Sequence, residues 1–385
     1  MKKRLGCILA FCMALSLAAC GGTDGGSGST GGSSGSNVSQ TPQASVENSG
    51  VENEETTGES SQTGSTPESE AAVPGESIST NGGEVIELSA LEHRDAGAES
   101  VVYYTSDISP EAMTAIYEML GDGLQGENIA VKLSTGEPPA SNYLDPELIA
   151  DLVQLVDGTI VECNTAYGGQ RSSTAMHYQV AEDHGFTGIA DFVVLDEDGS
   201  MSLTVNGGTH LSENLVGAHF DEYDGYLVLS HFKGHAMAGF GGAIKNISIG
   251  LGSTEGKCLI HTGGASNTSP WGGDQDTFTE SMAEAGLSVV DALDGNILYI
   301  SVMNRLSIDC DCDGHPSEPD MHDIGILAST DPVALDQACV DLIYASGDDS
   351  ASLRQRMESR NAFNVLVHGE EIGLGSRSYQ LISID

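Results

Sequence analysis

The sequence predicts an α/β domain over residues 84–385, with a largely parallel sheet flanked by helices. It forms either a single compact unit or a single large domain made of two lobes. Short apolar segments typical of buried strands alternate with amphipathic segments typical of helices, as expected when helices connect parallel strands. Roughly 300 residues are also enough to bury a sizeable core without disulfides or metals. Open sheets of this kind bind ligands at the carboxyl ends of their strands, so the residues that follow strands are the candidates for function.

Most elements carry their own boundary signals. Ser109 followed by Pro110 marks the start of a helix, and Gly185 is typical of the position after a helix end. Predicted strands lie at 101–105, 129–133, 159–163, 192–195, 203–205, 226–232, 297–303 and 324–328. Predicted helices lie at 146–156, 173–184, 277–293 and 332–345, and a further helix begins near Gly242.

The amino-terminal segment MKKRLGCILAFCMALSLAAC has three basic residues at 2–4 and an apolar run at 5–15 that is too short to span a membrane. It ends in Leu-Ala-Ala-Cys, which resembles the lipobox of bacterial lipoproteins. The segment therefore predicts a signal peptide at 1–20, lipidation of Cys20, and attachment to the outer face of the bacterial cell membrane. An ordinary secretory signal, which would release the protein, is the alternative.

Residues 21–83 are rich in Gly, Ser, Thr and Glu and predict a disordered tether, because so few apolar side chains cannot offset the entropy of ordering. The chain has 57 acidic and 14 basic side chains and a formal net charge of -43. This balance argues against nucleic acid or anionic lipid as a partner, since both require clusters of Lys and Arg. The expected membrane contact is the lipid anchor alone.

The cysteines of the predicted domain are odd in number, so at least one thiol is unpaired. They are Cys163, Cys258, Cys310, Cys312 and Cys339. Cys163 and Cys339 lie in apolar strand and helix patterns, which favours a place in the core. Cys310 and Cys312 are placed for chemistry: they could bind a metal ion such as iron or zinc, or pair as a disulfide.

The stretch SHFKGHAMAGFGGAIKN at 230–246 follows the predicted strand 226–232 and opens a helix. A glycine loop before a helix presents free N–H groups to an anion, and lysines would add charge. The alternative is that the glycines only allow close packing. The candidate ligand-binding residues of this stretch are Lys233, Lys245, Asn246, Gly241 and Gly242, and its candidate metal ligands are His231 and His235.

Two further segments carry candidates. Arg171, in NTAYGGQR at 164–171, would either clamp an anion or pair with an acidic side chain. In 323–336, Asp331 is expected to cap a helix that starts at Pro332, and Asp336 lies near the amino-terminal end of that helix. His261 and His315 are additional histidines available to a metal.

With these motifs assembled, the chain resembles the family known as domain of unknown function 362, over roughly 101–346. The resemblance rests on the motifs at 164–171, 230–235, 239–246, 310–312 and 323–336, in that order. It implies a metal or iron-sulfur protein without an agreed reaction. Family members with an iron-sulfur centre carry a cysteine run after the position of Lys257. This chain has only Cys258 there, which argues against a cluster with four cysteine ligands.

The leading hypothesis is an extracytoplasmic protein in which Cys310 and Cys312 bind a metal together with histidines, while Lys233 and Lys245 hold an anionic small molecule. Such a site could polarise a carbonyl, activate water or transfer electrons, and the sequence does not choose among these. The alternative is a solute-binding lipoprotein without catalysis, in which Arg171 joins the two lysines in an anion clamp.

Overall fold

The structure is a computed structural model that describes residues 76–348 and 351–385. The predicted signal peptide, Cys20 and nearly all of the predicted tether lie outside the described residues. Its strands are β1 Ser77–Ser79, β2 Val85–Glu87, β3 Ser100–Thr105, β4 Ile129–Lys132, β5 Gly158–Glu162, β6 Phe192–Val194, β7 Ser200–Thr204, β8 Glu213–Gly217, β9 Gly225–His231, β10 Lys233–His235, β11 Gly239–Gly241, β12 Ile297–Met303, β13 Gly325–Ser329 and β14 Tyr379–Ser383. Its helices are α1 Pro110–Glu118, α2 Pro146–Leu155, α3 Thr174–Asp183, α4 Ala243–Ser248, α5 Thr254–Thr262, α6 Gln275–Ala292, α7 Pro332–Ala345, α8 Ala351–Ser359 and α9 Asn364–Glu371.

Eight strands form one sheet in the order β14-β3-β13-β12-β9-β4-β5-β6. Every neighbouring pair is parallel except the two pairs that involve β13, which runs antiparallel to β12 and β3. The prediction of a largely parallel sheet flanked by helices is therefore confirmed. The single reversal follows from the connection between β12 and β13, which has no helix to carry the chain back across the sheet.

The sheet is buried on both faces. Alternate residues of β9 point in opposite directions, so Leu227 and Leu229 pack with α1 and α2, while Tyr226 and Val228 pack with α4, α6 and α7. This double burial explains the near-continuous apolar runs that made the central strands predictable. Within the described ranges, no helix is long and apolar enough to cross a membrane.

Several elements differ from the sequence predictions. Strand β1 lies inside the stretch assigned to the tether; Ile78 is buried and pairs with Ile86 of β2, so the fold begins before residue 84. Strand β8, which pairs with β7, was not predicted, and neither were β14, α5, α8 and α9. The glycine-rich stretch after β9 is a short antiparallel hairpin of β10 and β11 rather than an open loop.

The strand directions place the candidate residues. The carboxyl ends of β4, β5, β9 and β12 lie at one edge of the sheet. The connection 304–324 leaves β12 at this edge and enters antiparallel β13 from the same edge, which brings Cys310 and Cys312 there. Asp331 follows the carboxyl end of β13 and so lies at the opposite edge, where it caps α7 by accepting from the N–H groups of Val333 and Ala334 at 2.9 and 3.0 Å.

Candidate functional site

A cavity of about 430 Å³ opens at the edge where the parallel strands end. Its walls come from the ends of β4, β5 and β9, from the β10–β11 hairpin, from α4 and α5, and from the connection that carries Cys310 and Cys312. Apolar walls are provided by side chains such as Leu144, Leu229 and Ile249. The fold thus gathers most of the residues singled out in the sequence around one space.

His235, Cys310 and Cys312 form a group that could hold a metal ion. Their ligand atoms lie within 4.8 Å of one another. The Nδ1 atom of His235 accepts from the N–H groups of Met237 and Ala238 at 3.2 and 2.9 Å, which leaves Nε2 for a ligand. Cys310 and Cys312 are joined by a disulfide in this structure, so metal binding requires the reduced pair.

Asp311 fixes the cysteine-bearing connection against β9 and β10. Its carboxylate accepts from His231 Nδ1 at 2.9 Å and from Lys233 Nζ at 2.5 Å, and all three side chains are buried. Burial alone would raise the pKa of Asp311, but Lys233 and His231 outweigh it and hold the pKa well below its usual range. Gly234 allows the approach, because a Cβ there would lie 2.1 Å from the carbonyl oxygen of Ile308.

Not every candidate histidine is placed to bind a metal. His231 does not belong to the ligand group, because Asp311 and the carbonyl of Asn304 occupy its two ring nitrogens. The expectation that it ligates a metal is therefore corrected. His261 lines the cavity; its Nδ1 bonds the carbonyl of Lys257 at 2.7 Å, and burial lowers its pKa to about 4. His315 is exposed.

The lysines of the chain are concentrated in this cavity. Apart from Lys2 and Lys3, the sequence contains four lysines, and all four line the cavity. They are Lys132, Lys233, Lys245 and Lys257. Because these lysines of a strongly acidic chain lie around one cavity, the cavity is suited to a negatively charged ligand.

The four amines differ in their hydrogen bonds. Lys132 donates to the carbonyl of Leu133 at 2.6 Å and to Asn246 Oδ1 at 2.8 Å. Lys233 is paired with Asp311, and Lys257 donates to the carbonyl of Gly252 at 2.5 Å. Within 76–348 and 351–385, the amine of Lys245 has no acceptor. Asn246, predicted to contact a ligand, instead joins Lys132 to β9 by donating to the carbonyl of Leu229 at 3.0 Å.

Arg171 pairs with acidic side chains of the protein, so its guanidinium is not free to bind an anion. It binds Glu162 at 2.6 Å and Glu137 at 3.4 Å, and His177 lies 3.0 Å from Glu162. Burial would raise the pKa of Glu162, but Arg171 and His177 hold it well below its usual range. Of the two roles open to Arg171 in the sequence, pairing with acidic side chains is therefore correct, and those partners are buried.

The predicted anion site at the start of α4 is filled by a side chain of the protein. Asp336 accepts from the N–H groups of Ala243 and Ile244 at 2.7 and 3.0 Å. Gly242 is required there because a Cβ would lie 2.2 Å from Asp336 Oδ1, whereas Gly241 lies beside Lys233 and Lys245 without such crowding. Both glycines line the cavity, but the helix terminus itself is already satisfied.

Lys132, Lys257 and the positioning role of Asp311 were not predicted from the sequence. A signal for Lys132 was present, because a lone Lys at the end of the apolar strand 129–133 is unusual unless it has buried partners. Cys163, Cys258 and Cys339 are buried free thiols, and the prediction that Cys163 and Cys339 lie in the core is confirmed.

Residues 129–341 match the family described as domain of unknown function (DUF362). The match covers more than half of the chain, so the chain belongs to this family. A comparison with curated proteins found no match.

Two solved structures are similar in fold. The lactate racemase apoprotein from Thermoanaerobacterium thermosaccharolyticum is 12% identical with a TM-score of 0.40, and the match covers 71% of this chain and 63% of that one. A protein from Thermotoga maritima is 11% identical with a TM-score of 0.39, and the match covers 62% of this chain and 59% of that one. The chain thus spans less than two thirds of either protein, and the likeness concerns the fold alone.

Replacing Arg171 with Ala should lower the free energy of unfolding by about 3–5 kcal/mol, because Glu162 would keep a buried charge without its main partner. Urea unfolding followed by circular dichroism measures the change. Arg360→Ala is the control, since Arg360 is exposed and should change stability little. An Arg171 variant as stable as the control would show that the buried pair does not stabilise the wall of the cavity.

Proposed function

We propose that this chain is a metal-dependent protein that binds a small anionic molecule beside a centre formed by His235, Cys310 and Cys312. The observation that carries the proposal is that these three ligand atoms, within 4.8 Å of one another, share a cavity with the four lysines of the domain. A metal and a cation-rich wall in one space suit the binding and polarisation of an anion.

The ligand types favour zinc or iron. Two thiolates and one imidazole suit either metal, and three protein ligands leave a further coordination position for water or a bound molecule. A metal at this position would supply Lewis-acid chemistry, and iron would add electron transfer. The residues of the chain supply orientation, because the backbone N–H groups of Met237 and Ala238 fix the ring of His235 through its other nitrogen.

The oxidation state of Cys310 and Cys312 determines whether this centre can bind a metal. Reduction of the Cys310–Cys312 disulfide takes two electrons from a thiol or phosphine reductant and gives two thiols, whose protons come from the reducing thiols or, with a phosphine, from water. Cys310 and Cys312 would then hold a metal as thiolates, and their protons would pass to solvent. The proposal therefore requires a reduced pair in the working protein.

A second candidate function is capture of an anionic solute without a metal. The disulfide between Cys310 and Cys312 favours it, since an oxidised pair is a poor metal ligand. In this case Lys233 and Lys245 bind the solute, and the cysteines only close a short turn. The two functions differ in whether a metal changes ligand binding.

We also propose that the protein is lipid-anchored through Cys20 at the outer face of the bacterial cell membrane. The basic residues at 2–4, the apolar run at 5–15 and the Leu-Ala-Ala-Cys box support this location. The tether at 21–75 would then separate the domain from the membrane surface.

The full chain purified under reducing conditions without oxygen should contain one zinc or iron per molecule by elemental analysis. Cys310→Ser with Cys312→Ser should lose the metal, because hydroxyl groups replace both thiolates. His235→Ala should lower the metal content. Cys258→Ser removes a buried thiol outside the ligand group and is the matched control. Full metal content in the double serine variant would exclude this centre.

Binding of a carboxylate such as propionate should raise the melting temperature, because a ligand at 100 times its Kd adds about 2.7 kcal/mol of stability. The shift should be larger for the metal-loaded protein than after treatment with a chelator. An equal shift in both states would favour the solute-binding function, and no shift in either state would contradict an anion site.

Expressed in a bacterium, the protein should sediment with membranes and require detergent for release. Cys20→Ala should abolish the lipid modification, which intact-mass spectrometry detects directly. Recovery of unmodified wild-type protein in the medium would instead indicate an ordinary secretory signal.

A further inference from the structure

The amine of Lys245 is distinct from the other three amines of the cavity. Lys132, Lys233 and Lys257 each donate to an oxygen of the protein, at 2.5 to 2.8 Å. Lys245 lines the same cavity from the first turn of α4, and no residue in the described part of the chain accepts from its amine. Its amine is therefore left for a molecule in the cavity.

The surroundings of Lys245 favour the neutral amine. Burial is the largest cause and the charges of Lys233 and Lys132 act in the same direction, so that together they lower the pKa of Lys245 to about 7. A neutral lysine amine near physiological pH is a nucleophile, whereas an ammonium group is not. The carboxylate of Asp311, whose charge opposes this lowering of the pKa, is already held by Lys233 and His231.

The cavity has room and chemistry for a small carbonyl acid. Leu144, Leu229 and Ile249 line it and suit a short carbon skeleton. Lys233 and Lys132 also line the cavity, and their positive charges suit a carboxylate. A compound that has a carboxylate beside a carbonyl group offers both an anion for these lysines and an electrophile for Lys245.

We propose that Lys245 forms an imine with a 2-oxo acid bound in the cavity. The Nζ atom of Lys245 adds to the carbonyl carbon and gives a carbinolamine. The carbonyl oxygen then leaves as water, taking up the two protons of the amine, and a C=N bond replaces the C=O bond. No oxidant or metal is needed for this step. The inference rests on the anion site of the proposed function and adds a substrate class and a catalytic residue to it.

The full chain is incubated with sodium cyanoborohydride and, in turn, pyruvate, 2-oxobutyrate and phenylpyruvate, and peptides are analysed by mass spectrometry. The reductant converts the imine to a stable secondary amine. We expect the adduct on Lys245. It should be lost in Lys245→Arg, which keeps the charge but cannot form the imine, and retained in Arg360→Lys, which adds an exposed lysine outside the cavity. Excess propionate should block the adduct in the wild-type protein, a test that needs no variant.

Three results would overturn the proposal: no adduct with any of the three acids, an adduct that persists in folded Lys245→Arg, or adducts spread evenly over the four lysines. Melting curves establish that the variants are folded. If the adduct fails while propionate still stabilises the protein and the metal content is unchanged, the imine is wrong and the proposed function stands. If the adduct forms on Lys245 in protein that binds no metal, the metal centre is wrong and the lysine chemistry stands.

Discussion

One buried carboxylate organises the site. Asp311 lies between the two cysteines and accepts from Lys233 at 2.5 Å and from His231 at 2.9 Å. Through these bonds, the connection that carries Cys310 and Cys312 is held against the strands that position His235. Without this carboxylate, the buried Lys233 would lose the negative charge that it is paired with, and the cysteine pair would lose its fixed distance from the imidazole.

The cavity is lined by four lysines, whereas the chain as a whole is strongly acidic. Burying cations is unfavourable unless oxygens surround them, and Asp311, Asn246 and backbone carbonyls do this for three of the four lysines. The fourth, Lys245, is left without an acceptor in the described ranges and with a lowered pKa. The fold thus stabilises most of its buried charge itself and leaves one amine for chemistry.

The α/β class and the central strands were predictable because apolar runs and helix caps are local signals. The partners of the site residues were not. Lys233 and Asp311 are 78 positions apart, and the carboxylate that occupies the start of α4 comes from Asp336, 92 positions after the N–H of Ile244. A glycine loop before a helix looks the same in sequence whether its N–H groups meet a ligand or a distant side chain. For the same reason Arg171 was open to two interpretations.

The most direct test of the central claim is X-ray absorption spectroscopy at the metal edge of the reduced full chain loaded with zinc. The account predicts two sulfur ligands at about 2.3 Å and a nitrogen ligand of imidazole type at about 2.0–2.1 Å. A shell made only of oxygen and nitrogen, or failure of the reduced protein to hold zinc, would contradict a centre formed by His235, Cys310 and Cys312.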